Sequence, residues 1–114
     1  MVTEITVDEL QRKKEDGEIF KLVEVSDAED FEAGHIAGAI HITVSELHDK
    51  SVQLFKKFQQ IIVYAEESSS SVGSIAARML QQLGFSNALL LKGGKEGWKG
   101  AGLPLEGAVP DKAE

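Results

Sequence analysis

The stretch from Ile61 to Leu83, IIVYAEESSSSVGSIAARMLQQL, most narrows what this chain can fold into. It opens with Ile61, Ile62, Val63 and Tyr64, a short apolar run rich in β-branched residues, as in a strand buried on both faces. It ends with Ile75, Ala76, Met79, Leu80 and Leu83 at helical spacing, and Gly84 follows where a left-handed cap closes a helix. Between them lie Ala65, Glu66, Glu67, Ser68, Ser69, Ser70, Ser71, Val72 and Gly73. A strand that feeds a small-residue loop into a helix N-terminus aims several backbone N–H groups at one point, which makes an anion or oxyanion cradle. This cradle is oddly furnished. It has an alanine where a nucleophile could stand, adjacent carboxylates, and no arginine or lysine.

The rest of the chain alternates in the same way. Thr6-Val7-Asp8-Glu9 reads as a capping box that starts a helix, with Val7 and Leu10 inward and Gly17 ending the turn. Ile19 to Val25 (IFKLVEV) predicts a strand, and Ser26-Asp27-Ala28-Glu29 predicts a second capping box for a short helix that Gly34 stops. Gly34 to Ile42 (GHIAGAIHI) is a glycine-punctuated turn running into a brief strand. Ser45 is expected to cap a turn through Glu46 and Leu47, and a helix from Ser51 to Phe58 to bury Val52, Phe55 and Phe58. Ala88 to Leu91 predicts another strand. Gly93-Gly94 opens a last helix through Trp98, and Gly102-Leu103-Pro104 closes the fold.

Short strands alternating with helices predict βαβ units: an α/β fold with a mostly parallel sheet covered by helices on both faces. Right-handed crossovers line up the strand C-terminal ends along one edge, where ligand sites of such sheets lie, and the Ala65–Gly73 loop falls there. At 114 residues the chain suits one domain over 1–106, with a polar tail over 107–114. Its net charge of -7 offers no basic patch, which argues against nucleic acid or anionic membrane as partners. No apolar run approaches the roughly 20 residues needed to span a bilayer, and the acidic N-terminus does not read as a secretory signal, so a cytoplasmic protein is expected. With no cysteine, disulfides, thiolate metal sites and cysteine mechanisms are excluded for this chain.

Glu24-Val25-Ser26, followed by Phe31 to Ile42 (FEAGHIAGAIHI), resembles the N-terminal signature of rhodanese domains, the single-domain sulfurtransferase family. Leu91 to Trp98 (LKGGKEGW) with Gly102-Leu103-Pro104 resembles its C-terminal signature. Ile61 to Tyr64 matches the strand entering the family's active loop, and Ala76-Ala77 with Leu83-Gly84-Phe85 the helix leaving it. The resemblance covers residues 4–106 and implies the α/β rhodanese-like fold, a central, mostly parallel sheet of about five short strands with helices on both faces. In that family the residue after the VY-type strand end is a cysteine. It takes a sulfane sulfur from a donor such as thiosulfate, becomes a persulfide, and passes the sulfur to a nucleophilic acceptor. Loop N–H groups and the helix dipole favour the charged forms.

Ala65 stands at that position, and a methyl group has no lone pair with which to start the double displacement. Where family loops often carry basic residues, this one has Glu66 and Glu67, each opposing a bound anion by on the order of 1 kcal/mol in water-like screening. The family's Asp-Val-Arg is Glu24-Val25-Ser26 here. The loop is longer than the shortest sulfurtransferase loops and fits a subgroup in which some members carry a second cysteine near the position of Ser70. The resemblance therefore implies a catalytically silent, pseudoenzyme form of a thiosulfate or persulfide sulfurtransferase, used for binding or regulation. Its rival is an active sulfurtransferase whose cysteines were replaced. Phosphatase chemistry on the same fold needs a Cys and an Arg where Ala65 and Ser71 stand. Serine hydrolysis lacks a Gly-x-Ser-x-Gly elbow.

The expected partner is a protein, or a small sulfur donor or acceptor; no cofactor and no metal are expected. Ser68 to Ser71 read first as a solvated loop and second as an anion cradle of hydroxyls. Glu66 and Glu67 read as a solvated pair. His35 is expected to hydrogen-bond within its own turn, Trp98 to anchor packing with its indole N–H on a carbonyl, and Arg78 to sit in solvent. His41 and His48 lack the companions a metal site requires.

Overall fold

A computed structural model of the chain describes residues 2–66 and 71–107. Its strands are β1 (Thr3–Ile5), β2 (Lys21–Glu24), β3 (Ala39–His41), β4 (Ile61–Tyr64) and β5 (Ala88–Leu91). They form one sheet in the order β1-β5-β4-β2-β3, and every pairing is parallel. Parallel neighbours need crossover connections, supplied by α1 (Val7–Glu15), α2 (Ala28–Glu32), α3 (Val44–Leu54) and α4 (Val72–Gln82); α5 (Gly94–Gly100) follows β5. The α/β architecture expected from the sequence is the one observed.

Because side chains alternate along a strand, the sheet has two separate cores. Val23, Ile61, Val63, Ala88 and Leu90 point to one face and pack with Leu47 and Phe55 near α3 and with Ala76, Ala77 and Leu80 of α4. Leu22, Ile62, Tyr64 and Leu91 point to the other face, with Leu10 of α1, Ile36 and Trp98 of α5. The central strand β4 is buried along its whole length, as its unbroken apolar run requires. An antiparallel bridge between His35 and Glu106, with hydrogen bonds of 2.9 and 2.7 Å, straps the chain across this second face, where Leu103 and Leu105 pack.

Several boundaries differ from expectation. β2 starts at Lys21, and Ile19 is 92% exposed. The second capping box does not form: Asp27 is the N-cap of α2 without a side-chain bond, because Ser26 Oγ donates to Glu24 instead. The true second box is Thr43 with Glu46, about two helical turns ahead of the helix expected from Ser51. It starts an eleven-residue α3, so Ser45 does not cap a turn, and Val52 and Phe58 are exposed while Phe55 is buried. β1 falls in the acidic N-terminal stretch, where the sequence predicts no strand. Its three residues take strand form by pairing with β5.

Candidate functional site

Ala65 is the first residue beyond β4 at the C-terminal edge of the sheet, and it is 5% exposed. Its surroundings are close-fitting. In the first turn of α4, a Cβ on Gly73 would come 2.8 Å from Leu90 Cδ1 and 3.7 Å from the Ala65 methyl, so any side chain there would have to displace the tip of Leu90. From the other side comes α5. Gly93 and Gly94 have φ of 92° and 60°, a left-handed pair that turns the start of α5 toward the end of β4. The Lys95 N–H then donates to the Ala65 carbonyl at 2.9 Å, and the Glu96 N–H to the Glu66 carbonyl at 3.0 Å.

Beneath Ala65 runs a buried polar network. Glu24 and Tyr64 are register partners on β2 and β4, so their side chains lie side by side on the same face. Tyr64 donates its hydroxyl proton to Glu24 Oε1 at 2.7 Å and accepts the Ile36 N–H at 3.0 Å. Burial, reinforced by the Glu24 carboxylate and partly offset by the Ile36 N–H, pushes the Tyr64 hydroxyl well above its ordinary pKa. Glu24 Oε2 accepts from Ser26 Oγ at 2.6 Å and pairs with Lys95 Nζ at 2.8 Å. Both partners of that ion pair are buried, Glu24 at 0% and Lys95 at 3% exposure. Lys95 Nζ also donates to the Asp30 carbonyl at 2.7 Å and lies 3.0 Å from Glu66 Oε1. That last contact is electrostatic: Glu66 Oε1 is shielded from solvent and makes no well-aligned hydrogen bond among the described residues. An ammonium has three N–H donors, and three acceptors surround this one. Lys95 thus ties together the residues flanking Ala65 from beneath, and it is not part of the cleft lining.

Above Ala65 is an open cleft of about 380 Å³. Val25, Val44, Ala65 and Val72 give it aliphatic walls, and Ser26, Thr43 and Ser45 contribute hydroxyls. Its charged lining consists of Asp27, Asp30 and Glu66; among the described residues no lysine or arginine lines it.

Of the residues singled out from sequence, Ala65, Glu66 and Val72 line this cleft, and Gly73 packs behind Ala65. Ser71 is the exposed N-cap residue of α4, with no side-chain cap bond. Glu67, Ser68, Ser69 and Ser70 lie outside the described residues. Glu66 is not a freely solvated carboxylate, since the buried Lys95 holds it. His35 Nδ1 meets the Phe31 carbonyl at 3.0 Å and its ring stacks on Phe31. Trp98 donates its indole N–H to the Pro104 carbonyl at 2.9 Å, and Arg78 is exposed. Among the described residues no group of His, Asp and Glu is arranged to hold a metal ion, and no helix is long and apolar enough to cross a membrane.

Lys95 and Tyr64 went unrecognised in the sequence as site residues. The signals were present. Glu24 is a lone carboxylate ending a strand that must be buried, and Lys95 stands three residues before Trp98, on the face of α5 that the tryptophan buries.

An open parallel sheet with its cleft at the strand ends, over a loop that joins β4 to a helix N-terminus, defines a class of α/β ligand-site folds. Within that class, the Rhodanese-like domain family matches residues 6–101, and the chain belongs to it. Among curated proteins the chain is 36% identical over 106 residues to the HTH-type transcriptional regulator Rv0324 of Mycobacterium tuberculosis, covering 93% of this chain and 46% of that one. It is 34% identical over 84 residues to the uncharacterized protein YibN of Escherichia coli, covering 74% of this chain and 59% of that one. The chain therefore spans about half the length of the curated relatives it matches. The crystal structure of the BH2092 protein from Bacillus halodurans superposes with a TM-score of 0.87 at 29% identity, covering 98% and 82% of the two chains. The solution structure of the rhodanese-like domain of Alr3790 from Anabaena gives 0.86 at 30% identity, covering 100% and 89%.

Proposed function

We propose that this chain is a catalytically silent rhodanese-like domain that works as a binding or regulatory module rather than as a sulfurtransferase. The observation that carries this reading is Ala65. Ala65 lines the cleft, it stands where the resemblance puts the sulfur-carrying thiol, and a methyl group cannot attack a sulfane sulfur. The charge of the cleft supports it, because Asp27, Asp30 and Glu66 repel an anionic donor such as thiosulfate. Lys95, which could have countered them, is consumed below the floor.

The test is sulfur transfer from thiosulfate to cyanide, measured on the native chain and on Ala65→Cys. Neither is expected to exceed the uncatalysed rate: the first lacks a nucleophile, the second an anion site. Turnover by the native chain overturns the assignment of Ala65. Turnover by Ala65→Cys alone shows an otherwise complete enzyme, which is the disabled-sulfurtransferase reading.

A further inference from the structure

We infer that the cleft over Ala65 takes an arginine side chain of a partner polypeptide; the inference rests on the binding-module reading above. The cleft has two parts that match the two halves of that side chain. Val25, Val44 and Val72 form an aliphatic wall for a methylene stem. Asp27, Asp30, Ser26 and Ser45 line the same cleft, and carboxylates and hydroxyls are the acceptor types that a guanidinium with its fork of N–H donors requires.

Charge decides the sign of the guest. The helices α2, α3 and α4 all begin at the cleft, and each free helix N-terminus is worth roughly half a positive charge, or roughly one and a half together. Against them stand the carboxylates of Asp27, Asp30 and Glu66 in the lining. The Glu46 carboxylate of the α3 capping box adds nothing to this balance, since Lys50 pairs with it at 3.4 Å. Glu24 and Lys95 cancel beneath the floor. The balance stays negative, which disfavours an anion and favours a cation. Asp27 and Asp30 are exposed and make no ion pair among the described residues, so their charge is available to a guest. A volume of about 380 Å³ accommodates one long side chain rather than a folded segment, so the partner inserts a single anchor.

The experiment is a titration of isotopically labelled protein, followed by its amide resonances, with two capped pentapeptides. One has the sequence Gly-Ser-Arg-Ser-Gly; the other carries citrulline, an uncharged isostere, in place of arginine. The arginine peptide should shift the amides of Val25, Ser26, Thr43 and Ala65, and should bind at least about fivefold more tightly than the citrulline peptide at low salt. The double variant Asp27→Asn, Asp30→Asn replaces exposed carboxylates with isosteric amides, keeps the fold by the same spectra, and should lose roughly five- to tenfold in affinity. Equal affinity for the two peptides, or no response at the cleft amides, overturns the inference. Thiosulfate-to-cyanide turnover is measured on the same sample. Turnover there defeats the silent-module reading, whereas failed arginine binding without turnover defeats the arginine inference alone.

Discussion

Lys95 is the residue on which the site's geometry depends. An ammonium buried to 3% exposure is tolerable only because Glu24, Glu66 and the Asp30 carbonyl surround it. Removing one partner of such a pair leaves the other charge uncompensated, at a cost of about 3–5 kcal/mol out of a typical total of roughly 5–15 kcal/mol. Lys95→Met is therefore expected to come close to unfolding the domain. Adding Glu24→Gln, which takes away the orphaned charge, should recover a substantial part of that loss. Urea denaturation at neutral pH measures both. A loss below about 1 kcal/mol for Lys95→Met would show that Glu24 is already compensated without it. This network was only half legible in the sequence. Glu24 stood out where the family has aspartate, and Tyr64 ended a clear strand, but their adjacency requires the β2–β4 register. Lys95 carries no burial signal of its own in the sequence; it is buried because α5 turns one face, with Trp98, inward.

At the level of elements, sequence worked best where one segment carries its own signal. β4, α4 and the Gly93-Gly94 turn were legible because β-branched runs, helical spacing and paired glycines act locally. β1 was not, since its three residues are a strand only by pairing with β5. The sequence predicts a turn capped by Ser45 and a separate helix from Ser51, whereas the completed Thr43–Glu46 box joins both stretches into α3. Thr43 Oγ1 accepts the Glu46 N–H at 3.3 Å while Glu46 Oε1 accepts the Thr43 N–H at 3.2 Å. Thr43→Ala is accordingly expected to cost about 1 kcal/mol, and Ser45→Ala less than about 0.5 kcal/mol. Paired urea melts decide it, and a larger loss at Ser45 would make Ser45 the capping residue instead. The cap also matters to function, because it places Val44 and Ser45 on the wall of the cleft.

For the whole molecule, the buried network and the two capping boxes set the pH range over which the fold is most stable. Glu9 and Glu46 are held below the usual 4.5, each by the backbone N–H of its cap residue and then by that residue's hydroxyl. A carboxylate depressed in the folded state adds stability above its unfolded pKa and loses it as the pH falls through the folded value, so the acid limb lies below about pH 4.5. Tyr64 works on the opposite side. Its pKa is raised above 10.0 by burial, so its contribution is complete below that value and disappears as the pH climbs beyond it, where the unfolded chain releases the proton and the folded chain does not. The urea midpoint should therefore decline both below about pH 4.5 and above about pH 10, with Glu9→Gln and Glu46→Gln flattening the acid limb. The alkaline limb has an unusually clean reporter, because Tyr64 is the chain's only tyrosine. Its tyrosinate absorbance should stay flat through pH 10 and rise only together with the loss of the far-ultraviolet circular dichroism of the helices. A tyrosinate signal that titrates near pH 10 while the dichroism holds would mean that Tyr64 is open to water and that the Glu24 network is not closed.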